Sequence, residues 1–218
     1  YSNEDHVVTA GADTYQFNVD GFLTQKTTAS GMTTYNYSSR GELLSVIKPD
    51  STLISYDHDP FGRRIAKKVN GIITEKYLWA DNITLLAVYD GNNNLLMRFN
   101  YADGRMPVSM TYAGITYYIA YDQVGSLRAI VDSTGNIVKR VDYDSFGNIV
   151  HQTNMVENPF TYTGREFDSE SGLYFYRARY YDSRIGRFLS EDPIGYFDSM
   201  NLFQYVGNSP VNWRDPLG

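Results

Sequence analysis

The sequence predicts an all-β protein, built as an array of antiparallel β-hairpins repeated along the chain. Three observations predict it. An aromatic-to-glycine anchor recurs at steps of 20 to 22 residues. The segments between turns are rich in β-branched and aromatic residues that often alternate with polar ones. No stretch before residue 155 carries a long apolar stripe of helical period.

The anchors run in order from Tyr15 to Gly21, Tyr35 to Gly41, Tyr56 to Gly62, Tyr101 to Gly104, Tyr121 to Gly125 and Tyr143 to Gly147. The double step between Gly62 and Gly104 implies a unit near Asp81-Asn82-Ile83 that has lost its glycine and kept its length. A second set, Gly31, Gly71, Gly91, Gly114 and Gly135, falls near the midpoints, so the chain turns about every ten residues. Ten residues suit one strand and a short turn. The turns carry Asp, Asn, Ser and Gly, which accept positive φ, as in Asp90-Gly91-Asn92-Asn93-Asn94. A hairpin of this size cannot bury its face alone and must pair with its neighbours. A sandwich or a propeller would also be all-β, but the short unbroken period favours a hairpin array. The region 155–218 breaks the lattice and is expected to form a separate core with short helical turns, set against a repeat sheet over 1–154.

Composition narrows the function classes. Aromatic residues number 33 of 218, 20 of them Tyr, which suits half-buried pleated surfaces whose hydroxyls reach polar partners. A net charge of −6 argues against nucleic acid as a partner, since phosphate recognition needs a basic face. The longest apolar stretch, near Ile83 to Tyr89, is too short to span a bilayer. With no cysteine, thiolate metal sites, disulfides and cysteine nucleophiles are excluded. No signal peptide is visible, and the chain is expected to begin partway through a longer protein.

Residues 158–218 hold the densest motifs: Gly172-Leu173-Tyr174-Phe175-Tyr176-Arg177-Ala178-Arg179-Tyr180-Tyr181-Asp182, then Ser190-Glu191-Asp192-Pro193-Ile194-Gly195, and finally Pro210-Val211-Asn212-Trp213-Arg214-Asp215-Pro216-Leu217-Gly218. The Tyr-Asp-x-x-Gly hairpins resemble the YD repeats of Rhs proteins, of the C components of Tc toxins and of teneurins. The segment from Tyr117 to Gly218 resembles the Rhs repeat-associated core, with its closing Pro-x-x-x-x-Asp-Pro-x-Gly signature. The resemblance implies a sheet that spirals into a hollow shell, plugged at one end by the core. It also implies a C-terminal toxin sealed inside and released by an aspartyl self-cleavage. It maps the site onto Arg179, Asp192 and Asp215. Family members carry a Leu after the final Gly and are cut just beyond it, so the scissile bond is expected to lie past Gly218. The implied partners are the rest of the shell, the toxin, and secretion-apparatus or immunity proteins, in a secreted or cell-surface bacterial setting. No cofactor or metal is implied, and at most one turnover on the chain itself.

From the residues alone, other roles stay open. Asp192 and Asp215 each precede proline, so each suits a cap or a turn; two close carboxylates could instead share a proton and activate water. Arg179 could pair with Asp182, Glu191 or Asp192 and cover aromatic faces, as could Arg177, Arg184 and Arg187, or it could polarise a carbonyl. His6, His58 and His151 are far apart and read as solvated turn residues. Asp90-x-Asn92-x-Asn94 starts like a calcium loop, but Leu95 stands where glycine is needed, so it reads as a turn. The alternative function is a non-catalytic teneurin-like or wall-associated repeat module that binds partners or glycans. Six or seven hairpins should leave sheet edges unpaired, a route to self-association.

Overall fold

The computed structural model describes residues 2, 5–102, 106–154, 156–197 and 200–218. Fifteen strands form one antiparallel sheet in strict chain order. They are β1 (Thr9–Ala10), β2 (Asp13–Phe17), β3 (Leu23–Thr28), β4 (Gly31–Tyr37), β5 (Leu43–Ile47), β6 (Leu53–His58), β7 (Arg64–Val69) and β8 (Ile72–Trp79), followed by β9 (Leu85–Tyr89), β10 (Leu95–Tyr101), β11 (Pro107–Tyr112), β12 (Ile115–Tyr121), β13 (Leu127–Val131), β14 (Ile137–Tyr143) and β15 (Ile149–Asn154). A second antiparallel sheet follows: β16 (Glu166–Asp168), β17 (Leu173–Tyr176), β18 (Arg179–Asp182) and β19 (Arg187–Phe188). Among the described residues helix is confined to single 3₁₀ turns at Tyr162–Gly164 and Val206–Asn208. The predicted hairpin array is the observed fold. Among the described residues, β1 and β15 each pair with one neighbour only.

The anchor motif explains the turns. In the turn after β6, one Asp59 carboxylate oxygen accepts the N–H groups of Phe61 and Arg63 at 2.9 and 3.0 Å. Gly62, at φ +80°, donates its N–H back to the Asp59 carbonyl. Asn18, Asp122 and Asp144 do the same in their turns, and Ser38 does it with its hydroxyl. The acidic or amide residue thus satisfies the turn's own donors, while glycine takes the left-handed position. Just before each such turn the pairing register slips by one residue, as between Asp57 and His58 or Asp142 and Tyr143. Such bulges add twist to a ribbon. In the unit without glycine, Asp81 takes the N–H groups of Ile83 and Thr84 at 2.8 and 2.7 Å. In the Tyr101 anchor, Asp103 and Gly104 lie outside the described residues.

The C-terminal segment packs against the end of the sheet that carries these turns. Three phenols read one turn: Tyr162, Tyr181 and Tyr174 donate to the carbonyls of Ser145, Phe146 and Gly147 at 2.7, 2.8 and 2.7 Å. Elsewhere along the row, Leu23 donates its N–H to Leu189 O, Leu127 to Thr161 O, and the Gln123 amide to Val211 O. Charged pairs join the two sheets directly. Lys26 meets Asp182 at 2.7 Å, Arg64 meets Glu166 at 3.0 Å, and Lys67 meets Glu170 at 2.9 Å. The Tyr56 hydroxyl donates to Asp168 at 2.5 Å.

The apolar core follows the same division. Leu23, Leu43, Val46 and Ile54 pack with Leu173, Phe175, Tyr180 and Leu189. Leu85, Phe99, Met110, Ile130 and Val141 pack with Val156 and Phe160. Between them Tyr162, Tyr174, Tyr176, Tyr181, Phe188 and Tyr205 form a buried aromatic cluster. Burial pushes the Tyr176 phenol well above its usual range, so it stays a hydrogen-bonding hydroxyl shared with Thr163 and Tyr205. The histidine reading needs correction. His151 is exposed, but His6 is buried, stacked on Phe17 at 4.5 Å and met edge-on by Phe203. His58 ends β6 half-buried, and burial lowers its pKa. Asp90 caps the β9–β10 turn through the N–H groups of Asn92 and Asn94.

Candidate functional site around Arg179

Arg179 opens β18, one residue beyond the tight β17–β18 turn, and its side chain is buried. Its guanidinium lies 3.7 Å from the centre of the Phe188 ring, a cation–π contact that fixes its plane. Every nitrogen of the fork is then aimed. Nε donates to the Gly218 carbonyl at 2.6 Å, and Nη1 donates to the Leu202 carbonyl at 2.8 Å. Nη2 donates to Asp192 Oδ2 at 2.7 Å and lies 3.4 Å from Asp215 Oδ2. Two carboxylates contacting one nitrogen are at most about 6 Å apart, within reach of one bridging water.

Both aspartates are also turn formers, so the two sequence readings coexist in one geometry. Asp192 Oδ1 accepts the Ile194 N–H at 3.0 Å, and the Asp192 carbonyl accepts from Gly195. Asp215 Oδ1 accepts the N–H groups of Leu217 and Gly218 at 3.0 and 2.8 Å. Each proline-containing turn leaves Oδ2 free to face the guanidinium. The turn at Asp215 also sets the last residues: the Ala178 N–H donates to the Leu217 carbonyl at 3.1 Å. Gly218 lies so close to the β17 backbone that a Cβ would run into the Tyr176 carbonyl oxygen. Only glycine fits there.

The other arginines divide. Arg184 pairs with Asp182 at 3.3 Å, as the sequence suggested. Arg187 bonds the Asp5 carbonyl and the Asn201 side chain. Arg177, at φ +68°, spans the Pro216 and Ile83 carbonyls, tying the C-terminal segment to the β8–β9 turn. Arg165 and Arg214, which sequence reasoning did not single out, line the same cavity of about 880 Å³. Arg214 directly precedes Asp215, the one sequence cue to its place. Among the described residues, no group of acidic or histidine side chains could hold a metal ion.

The teneurin YD-shell family model matches residues 1–211. The chain belongs to the YD-repeat family of Rhs and teneurin shells. Among its relatives in the YD family, the tRNA nuclease WapA of Bacillus subtilis (strain 168) is 36% identical over 200 residues, covering 88% of this chain. The toxin subunit YenC1 of Yersinia entomophaga is 28% identical over 214 residues, covering 85%. The chain spans only 9% of the length of WapA and 22% of YenC1. In the solved TcdB2-TccC3-TEV structure, 94% of this chain superposes on 13% of that one with a TM-score of 0.67 at 23% identity, a likeness of fold. No helix among the described residues is long and apolar enough to cross a membrane.

Proposed function

We propose that this chain is a segment of a toxin-encapsulating YD shell that cuts itself once, just past the motif that closes at Gly218, to free a C-terminal toxin. Residues 1–154 supply shell wall, and 155–218 supply the plug that carries the chemistry. The observation that carries the reading is the single guanidinium of Arg179 reaching the Gly218 carbonyl, Asp192 and Asp215 together. The family, and relatives named as a toxin subunit and a nuclease, support the cargo. The setting that follows is secreted or cell-surface, in a bacterium.

In this reading the scissile bond lies just past Gly218, on the segment that the Gly218 carbonyl anchors to Arg179. Arg179 holds the chain next to that bond and aims Asp192 and Asp215 at it, and its positive charge favours the oxyanion of the tetrahedral intermediate. One carboxylate of the pair takes a proton from water as the water oxygen bonds to the carbonyl carbon. The other delivers a proton to the departing nitrogen as the C–N bond breaks. The tight seat of Gly218 holds the carbonyl still, and this positioning is itself a large share of catalysis.

The test is a chain extended through the domain that follows residue 218, run on a denaturing gel. The wild type should appear as two fragments. Asp192→Asn and Asp215→Asn should each remain whole while keeping the wild-type circular dichroism spectrum. A wild type that stays whole, or an Asp215→Asn variant that is still cut, would sink the proposal.

A further inference from the structure

The fifteen-stranded wall is nearly periodic on its buried face. In the even-numbered strands β2, β4 and β6, the residue six before the turn glycine is Tyr15, Tyr35 and Tyr56, each buried. In the odd-numbered strands two positions face the same way, the second and the fifth after that turn. They hold Leu43 and Val46 in β5, Leu85 and Val88 in β9, and Leu127 and Ile130 in β13, all buried. Three cations break this apolar rule: Lys26 in β3, and Arg64 and Lys67 in β7. Each is buried, and each faces carboxylates of the C-terminal segment. Lys26 meets Asp182, Arg64 meets Glu166 and Asp168, and Lys67 meets Glu170 and Asp168, all within 3.9 Å. Glu75 of the wall also reaches Lys67, and Arg184 also reaches Asp182. The backbone contacts of the segment are ones that any unit could offer. Leu23 and Leu127, at one position of two different hairpins, both donate to it, at Leu189 O and Thr161 O. The three phenols at the β14–β15 turn read main-chain carbonyls, which every turn presents. Connectivity leaves room as well: residues 155–160 extend to about 20 Å, and one hairpin is two strands, about 10 Å.

We propose that Lys26, Arg64 and Lys67 specify where the C-terminal segment docks: they are a charge pattern set into a repeating wall and read by the acidic face of residues 166–182. A shift of one hairpin toward β15 would set Asp182 against Val46, and Glu166 and Asp168 against Leu85 and Val88. The opposite shift would set Glu166 and Asp168 against Leu43 and Val46. Either shift lays carboxylates on aliphatic side chains and leaves lysine and arginine buried without partners. An unpaired buried charge costs far more than an exchanged apolar contact. The pattern has two points, β3 and β7, so it fixes the tilt of the segment as well as its place. Replacing a buried ion pair by apolar residues of similar size is often neutral or stabilising. The three cations therefore act against wrong dockings rather than for strength, while the tyrosines, leucines and turns supply the adhesion.

The place of the segment can be read as a distance in the whole chain. Gln16 on β2 and Ser169 at the β16–β17 turn are exposed, and the sequence has no cysteine. Spin labels on Gln16→Cys and Ser169→Cys, measured by pulsed electron–electron resonance, should give one narrow distance in the otherwise wild-type protein. The pattern is then erased from both sides with Lys26→Met, Arg64→Leu, Lys67→Met, Glu166→Gln, Asp168→Asn and Asp182→Asn. This variant should keep its urea midpoint, while the distance gains components displaced by about 10 Å, one hairpin. A milder variant erases only the β7 point, with Arg64→Leu, Lys67→Met, Glu166→Gln and Asp168→Asn. It leaves the segment pinned at Lys26 alone, so the distance should broaden about its wild-type value, and it decides the matter if the first variant does not fold. A distance as narrow as the wild type's, in the fullest variant that folds, would overturn the proposal. Failure of both variants to fold would overturn it too, because the cations would then be needed for folding itself and not for the choice of place.

Discussion

Replacing Asp182 by Asn tests whether buried charge pairs lock the two sheets together. Lys26 Nζ and Asp182 Oδ2 lie 2.7 Å apart, with side chains 2% and 1% exposed. The amide keeps shape and a hydrogen-bond acceptor but removes the negative charge, leaving a lysine ammonium in the interior. Breaking a buried pair on one side costs about 3–5 kcal/mol. The amide oxygen still accepts from Nζ, and the Tyr15 ring lies 5.3 Å from it, so the low end, about 3 kcal/mol, is expected. At about 2–4 °C per kcal/mol, the thermal midpoint should fall by roughly 6–12 °C. Lys26→Met removes the stranded cation, so the double variant Lys26→Met/Asp182→Asn should lose less than the two single losses combined, by about 2 kcal/mol. The assay is thermal or urea unfolding of all four proteins. A loss below about 1 kcal/mol for Asp182→Asn, or strictly additive losses, would refute the argument.

Two further outcomes follow from the turns. Gly135→Ala and Gly147→Ala both place a side chain at positive φ, +90° and +93°. At Gly135 nothing lies within 4 Å of the new Cβ, so the loss should be about 1–2 kcal/mol from backbone strain alone. At Gly147 the Cβ would stand 2.5 Å from the Tyr162 ring, so the loss should reach about 2–5 kcal/mol; equal losses in urea unfolding would show that the ring yields freely. In the β13–β14 turn, hydrogen bonds headed by the Thr134 hydroxyl hold Asp132 down to about 2. Its folded value lies below the unfolded one, so it supports the fold above about pH 4, and that support fades as pH falls toward 2. Carbon-13 titration of Asp132 should give a midpoint near 2 in the folded protein, and a midpoint near 4 would count against the turn geometry.

How far each feature could be read from sequence depends on the range of the interaction behind it. The turns were legible because their chemistry is local. An Asp or Asn closes a loop onto N–H groups two and four residues on, and a glycine supplies the left-handed step, whatever surrounds them. Strand faces were less legible. In β7, Arg64 and Lys67 point into the interior while Ile65 is 38% exposed, the reverse of the usual polarity. In β14, Lys139 is buried while Ile137 is 60% exposed. The reversal in β7 has its reason in another part of the chain: Glu166, Asp168 and Glu170 face that strand, so its cations find partners inside. His6 was misread for the same kind of reason, since the Phe203 that covers it lies almost two hundred residues away.

The candidate site shows the same split. Sequence resemblance alone named Arg179, Asp192 and Asp215, and the Asp-Pro pairs correctly announced turns. Their meeting was decided only by tertiary structure. The β17–β18 hairpin, the Asp192 turn and the Asp215 turn converge from separate stretches on one guanidinium that Phe188 holds in place. What the amino-acid order determined by itself is the hairpin lattice, because its hydrogen bonds close within five residues. The buried faces of the strands, the docking of the C-terminal segment on the sheet and the arginine-lined cavity at Gly218 were decided by packing, because a buried charge or ring takes its place from partners that only the folded chain brings near.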